Sequence, residues 1–188
     1  MSAGDLSAQV LAESLQTHLF PDDPGLTCFA VLDGASVPDL LPKLAEHRPE
    51  HVCLYRGELE PDLAECAPYL VRLLPNTPFT NSVLEQGWGQ HWGIFALTKA
   101  NLTALRKLFR TFLIVKNPEG KQLYFRYYDP RVLRTYLPTC NVEETKVIFG
   151  PVLAYLCEDK NPNTLLRFRT EGGETRKELI RLAAPMKV

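Results

Sequence analysis

A chain of 188 residues, 45% hydrophobic and 10% aromatic, is long enough for one sizeable domain with a packed core. Its formal net charge of −1 argues against a general nucleic-acid binder, which carries a basic surplus to neutralise phosphates. No stretch approaches the ~20 apolar residues of a membrane span, and MSAGDLSAQVLAESL lacks the basic leader and apolar run of a signal peptide. The five cysteines, Cys28, Cys53, Cys66, Cys140 and Cys157, are odd in number, form no C-x-x-C and mostly sit among apolar residues. They read as reduced core thiols.

In chain order, DLSAQVLAESLQTHLF predicts a helix capped by Asp5 or Ser7 and ended by PDDPG. LTCFAVLDGA predicts a buried strand stopping at Asp33-Gly34. SVPDLLPKLAEH follows as a helix, with Ser36 and Asp39 spaced as a capping box, Pro38 at an early helical position and Pro42 shortening it. HVCLYRG and APYLVRLL predict two further strands. TPFTNSVLEQGWG predicts a short helix closed by Gly87, and HWGIFALT a strand ending at Thr98, a candidate N-cap.

Residues 99–111 carry the clearest helical pattern, with Leu102, Leu105, Leu108, Phe109 and Phe112 on one face. Lys99, Arg106, Lys107 and Arg110 occupy the other and read as a solvated face. FLIVKNPEGKQLYFRYY predicts a hairpin turning at residues 117–120. A helix follows Asp129-Pro130, and a second is predicted at NVEETKVIFG. VLAYLCED and LLRFRTE predict paired strands, and TRKELIRLAAP a closing helix. The whole reads as an α/β fold, a mixed β-sheet flanked by helices. It forms one domain, 1–188, and a break near residue 98 allows two lobes, 1–98 and 99–188, sharing a core.

The segment LYFRYYDPRVLRTYL concentrates aromatics, arginines and one Asp-Pro step. As a strand it places Leu123, Phe125 and Tyr127 on one face and Tyr124, Arg126 and Tyr128 on the other. Asp129 is then a helix cap with Pro130 at the first helical position, and Arg126 or Arg131 pairs with it. Tyr and Arg gathered at one place are also the chemistry of protein-binding hot spots, which makes Tyr124, Arg126, Tyr128 and Arg131 candidates for partner contact.

CFAVLDGA, APYLVRL, HWGIFALT, LYFRYYDPRVLRTYL and FGPVLAYLCED occur in this order, and FRYYDPRVL is the most specific of them. Over about residues 27–158 the chain resembles the bacterial type VI secretion adaptor, or effector-chaperone, family, first catalogued as a domain of unknown function. The resemblance implies a non-enzymatic cytoplasmic protein that binds a secreted effector and loads it onto the valine-glycine repeat spike protein. The family assigns no catalysis to its motif residues, and on the residues themselves no cofactor, metal, nucleic acid or membrane partner is expected. Carried over by position, its motif residues are Asp33, Pro68, Trp92, Gly93, Arg126, Tyr128, Asp129, Pro130, Arg131, Gly150 and Pro151, several of them architectural.

Other chemistries are weaker on the residues. HRPEH, residues 47–51, fits H-x-x-E-H, but Pro49 and the strand after it keep His47 and His51 from projecting together. Asp33 and Asp129 each end a predicted strand, so a small metal-dependent hydrolase centred on them is the alternative. However, no D-x-D pair or glycine-rich phosphate loop accompanies them. A toxin-binding immunity-like protein is a third reading, with the same binding logic.

Overall fold

The computed structural model describes residues 3–116 and 119–182. Helix α1 (Ala3–Leu19) leads into strand β1 (Thr27–Asp33), helix α2 (Leu40–His47) and strand β2 (His51–Cys53). Helix α3 (Pro61–Glu65), β3 (Pro68–Leu73), α4 (Pro78–Gly87), β4 (Gly93–Thr98) and α5 (Leu102–Phe112) follow. The hairpin β5 (Ile114–Lys116) and β6 (Gln122–Tyr124) precedes α6 (Pro130–Tyr136) and α7 (Val142–Phe149). Three strands close the chain: β7 (Val152–Glu158), β8 (Thr164–Glu171) and β9 (Glu174–Arg181).

Seven strands form one sheet in the order β2-β3-β1-β4-β7-β8-β9, while β5 and β6 pair separately. This is the α/β architecture of a sheet flanked by helices that the sequence predicts, and its pairings are antiparallel. Because β4 pairs with β7, the sheet runs without interruption across residue 98.

Alternate side chains of a strand face opposite sides, and here both sides are covered. Cys28, Ala30 and Leu32 of β1 enter a core shared with α1, α2 and α4. Phe29 and Val31 enter a second core with Leu105, Phe109 and Leu133 of α5 and α6. A strand buried on both faces reads as a continuous apolar run, which is why CFAVL shows no polar alternation. In α5 the predicted apolar face is seated as expected, with Leu105 and Phe109 fully buried.

Several local expectations fail, each for a physical reason. The N-cap of α5 is Asn101, whose side chain accepts the Ala104 amide at 2.9 Å. Thr98 instead takes the Ala100 amide and donates to the Pro151 carbonyl, tying β4 to the start of β7. The Ser36–Asp39 capping box does not form. Asp39 is left-handed (φ 53) without a side-chain cap bond, and the Ser36 hydroxyl donates to Asp33. Helix α2 starts after Pro38, and Pro42 falls in its first turn, where a missing amide costs no helical bond. Helix α1 begins at Ala3, so Asp5 and Ser7 lie inside it rather than capping it.

The closing helix is a strand. Gly172 (φ 59) and Gly173 (φ 86) make a two-residue turn, and residues 174–181 pair with β8 from Glu171↔Glu174 to Thr164↔Arg181. A Gly-Gly pair between two runs is a strong hairpin signal, and it outweighs the helix-forming composition of TRKELIRL. The hairpin predicted over residues 112–128 forms in part: Ile114–Lys116 pairs with Gln122–Tyr124, residues 125–128 leave the strand, and two of the predicted turn residues, 117 and 118, lie outside the described residues. No helix among the described residues is long and apolar enough to cross a membrane.

Candidate functional site

Three acidic side chains are buried among the described residues: Asp33, Glu158 and Asp129, at 1%, 3% and 5% exposure. Asp33 ends β1 and Glu158 ends β7. Both strands run antiparallel to β4 between them, so their C-terminal ends lie on the same edge of the sheet. Asp129 reaches that edge through Arg131, whose guanidinium also feels the charges of Asp33 and Glu158.

Asp33 is held by its backbone before its side chain acts. Its amide donates to the Trp92 carbonyl at 2.9 Å, and the Gly34 amide donates to the Ala67 carbonyl at 3.0 Å. The carboxylate then accepts the Ser36 hydroxyl at 2.9 Å, the Ala35 amide at 3.2 Å and the Arg126 guanidinium. Arg126 lies over the Tyr128 ring, 6.0 Å from its centroid. Burial works against the charged guanidinium, but Asp33 outweighs it and holds the Arg126 pKa above its ordinary value.

Asp129 does what the sequence predicts of it. Its Oδ1 accepts the Arg131 amide at 2.9 Å as the cap of α6, with Pro130 behind it. The Arg131 side chain folds back to the same carboxylate, Nε at 3.0 Å from Oδ1 and Nη2 at 2.7 Å from Oδ2. Burial alone would raise the Asp129 pKa. The Arg131 hydrogen bonds and the charges of Arg131 and Arg126 outweigh it, and the pKa falls below the ordinary carboxyl value.

Glu158 was not singled out from the sequence. Its carboxylate accepts the amides of Gly89 and His91 and meets the His91 ring at Nδ1. Gly89 (φ 82) and His91 (φ 60) both take left-handed backbone to present those amides. GWGQHWG is therefore a loop wrapped around an acid. The available signal was an acid ending an apolar strand in VLAYLCE, the same pattern as CFAVLD.

The other motif residues support this edge or the packing behind it. Trp92 is buried, with Lys43 Nζ 5.1 Å from its ring centroid. A Cβ on Gly93 would lie 2.2 Å from the Val31 carbonyl oxygen, so only glycine lets β4 approach β1 there. Pro68 opens β3 opposite Asp33, and its carbonyl accepts the Leu54 amide. Gly150 caps α7 at φ 46, and the Pro151 carbonyl receives Thr98.

The predicted strand face of Tyr124, Arg126 and Tyr128 does not exist as such. Strand β6 ends at Tyr124, after which the chain turns to enter α6. Tyr127 and Tyr128 are both buried, whereas strand alternation would separate them. Burial lifts both phenol pKa values above their usual value. Tyr128 still interacts with Tyr55, and Tyr55 meets the Tyr124 ring at 5.9 Å. Of the four partner-contact candidates, Tyr124 is the most open, at 70% exposure, while Arg126 and Arg131 are half-exposed and tied to Asp33 and Asp129.

His47 ends α2 and lies edge-on to Phe79, while His51 opens β2 with Nδ1 2.8 Å from the Pro49 carbonyl. Arg48 between them is left-handed, so the two histidines belong to different elements. Among the described residues no three His, Cys, Asp or Glu side chains converge as a metal ion requires. Chemically, the acidic edge is a set of carboxylates saturated by donors of the same chain, fastening the 34–36, 88–92 and 125–131 segments to the sheet.

No curated protein and no solved structure matches this sequence. The model of the domain of unknown function DUF4123 matches residues 28–146, a span that includes Asp33, the Trp92-Gly93 step and the whole FRYYDPRVL block. The chain belongs to the DUF4123 family.

Proposed function

We propose that this protein is a non-enzymatic cytoplasmic adaptor of a type VI secretion system. It binds a secreted effector polypeptide and helps load it onto the valine-glycine repeat spike protein. The reading rests on the family match over residues 28–146 and on the resemblance of FRYYDPRVL to adaptor chaperones. The observation that carries it furthest is the state of the charged residues in and around that block. Arg126 and Arg131 each neutralise a buried carboxylate, Asp33 and Asp129, of the same chain. A general base or metal ligand needs a carboxylate whose oxygens are open to substrate or ion. Here the carboxylates are spent on holding loops, which suits a scaffold that presents a surface.

Co-expression with the effector encoded beside it tests the role. The effector should be soluble and co-purify with the adaptor, and its level should fall when the adaptor is omitted. An effector that is equally soluble alone, and a protein that retains neither effector nor spike, would overturn the proposal.

A further inference from the structure

An uncovered apolar groove lies on the side of the molecule where β2 forms the edge of the sheet. Its cavity is about 260 Å³, and its walls include Leu54, Tyr55, Leu59, Leu63, Leu113 and Ile114, with Tyr124 at the rim. Helix α3 contributes no buried residue and leaves Leu63 47% exposed; β5 leaves Ile114 50% exposed. Large apolar side chains left open on two neighbouring elements mark an interaction surface.

The charged residues in the groove lining are both basic, while the exposed acids Glu58, Glu60, Asp62 and Glu65 of the neighbouring segment lie outside it. Arg56 and Arg110 line it. The Arg110 guanidinium donates to the Cys53, Leu54 and Tyr55 carbonyls, at the end of β2 and just past it. Burial and then the charges of Arg106 and Arg56 push the Arg110 pKa down, and no carboxylate acts on it. Arg56 is exposed and has no acidic partner among the described residues, and Arg106 keeps a buried Nε without a hydrogen-bond partner. Arg56, with no acidic partner among the described residues, and Arg110 beside it in the lining of an open apolar groove favour a ligand that is apolar and anionic at once.

We propose that this groove docks an acidic, apolar segment of a partner polypeptide, with a bulky aliphatic or aromatic side chain seated between Leu63, Ile114 and Tyr124 and a neighbouring carboxylate at Arg56. The proposal rests on the adaptor reading and names the surface and partner chemistry that reading leaves open. The effector segment is held by one or two anchors rather than by a core-like interface, which keeps release possible. Tyr124 joins this groove, whereas Arg126, Tyr128 and Arg131 belong to the scaffold behind it.

The test uses the full chain and a short fluorescein-labelled peptide of alternating leucine and aspartate, read by anisotropy. A peptide with lysine in place of aspartate is the control. The acidic peptide should bind and the lysine peptide should not. Ile114→Asp and Arg56→Glu should each weaken binding by about tenfold or more, the size of one interfacial anchor. Both residues are exposed, so thermal melts should match wild type. Equal binding of the two peptides, or an acidic peptide indifferent to Arg56→Glu, overturns the groove. The same variants are then tested for effector capture. Capture by wild type that neither variant disturbs overturns the groove and leaves the adaptor reading standing. Peptide binding that follows the pattern above, with no effector captured, supports the groove and overturns the adaptor reading.

Discussion

Arg126 and Asp33 are 93 residues apart in the chain and meet as an ion pair at the end of β1. The contact joins the first strand of the sheet to the segment entering α6. Asp33 is buried, and its pairing with Arg126 is its only ion pair among the described residues. Arg126→Ala should therefore destabilise the fold by about 1–3 kcal/mol, less than a fully buried pair because the guanidinium is half-exposed. Adding Asp33→Asn should recover part of that loss, since the orphaned charge is gone. A double-mutant cycle in urea checks the coupling, and strict additivity would contradict the pairing.

Asp129 makes a pH-dependent contribution whose sign follows from its lowered pKa. A carboxyl whose folded pKa lies below its unfolded value stabilises the fold above the unfolded value and loses that contribution as pH falls through the folded one. The unfolded reference is 3.8. The stability gap between wild type and Asp129→Asn should be constant near neutrality and close below about pH 4. Asp129→Ala should cost about 0.5–2 kcal/mol from lost capping, plus the lost pairing with Arg131. Asp129→Asn should be milder because Asn caps well. Denaturant melts at several pH values read both effects.

Gly93 tests the close approach of β4 to β1. An added Cβ meets backbone, the Val31 carbonyl at 2.2 Å, which cannot rotate away as a side chain could. Gly93→Ala should destabilise by about 1–3 kcal/mol or more, the range for overpacking. By contrast, Gly57→Ala meets no atom within 4 Å and tests only the left-handed backbone at φ 82. Thermal melts of the two variants separate contact from conformation.

The cysteines should react in order of exposure. Burial raises the thiol pKa of Cys28 and Cys157, while Cys66 is exposed at the end of α3. A thiol-specific reagent on native protein should label Cys66 first and reach Cys28 and Cys157 only on unfolding. Early labelling of Cys157 would show that β7 opens locally.

Much of the fold was legible in the sequence because local chemistry and burial agree. CFAVLD and HWGIFALT are short apolar runs and the Leu102–Phe112 pattern repeats at helical spacing, and the structure buries them accordingly. The Asp129-Pro130 cap was legible because it is complete within three residues. The failures are places where a distant partner decides. Ser36 is spaced for a cap but finds Asp33 first. The 123–128 segment alternates like a strand, yet Tyr127 and Tyr128 are drawn into the core beneath α5. Glu158 and His91 come together across 67 residues, and no local pattern joins them. The groove is equally non-local, since α3 and the β5–β6 hairpin meet there only through the fold.

The most direct measurement is isothermal titration of the purified protein with the purified effector encoded beside it. The account predicts saturable binding that Ile114→Asp weakens by about tenfold or more and that Asp129→Asn leaves unchanged at neutral pH. Absence of heat with wild type, together with no capture of the spike protein, would contradict it.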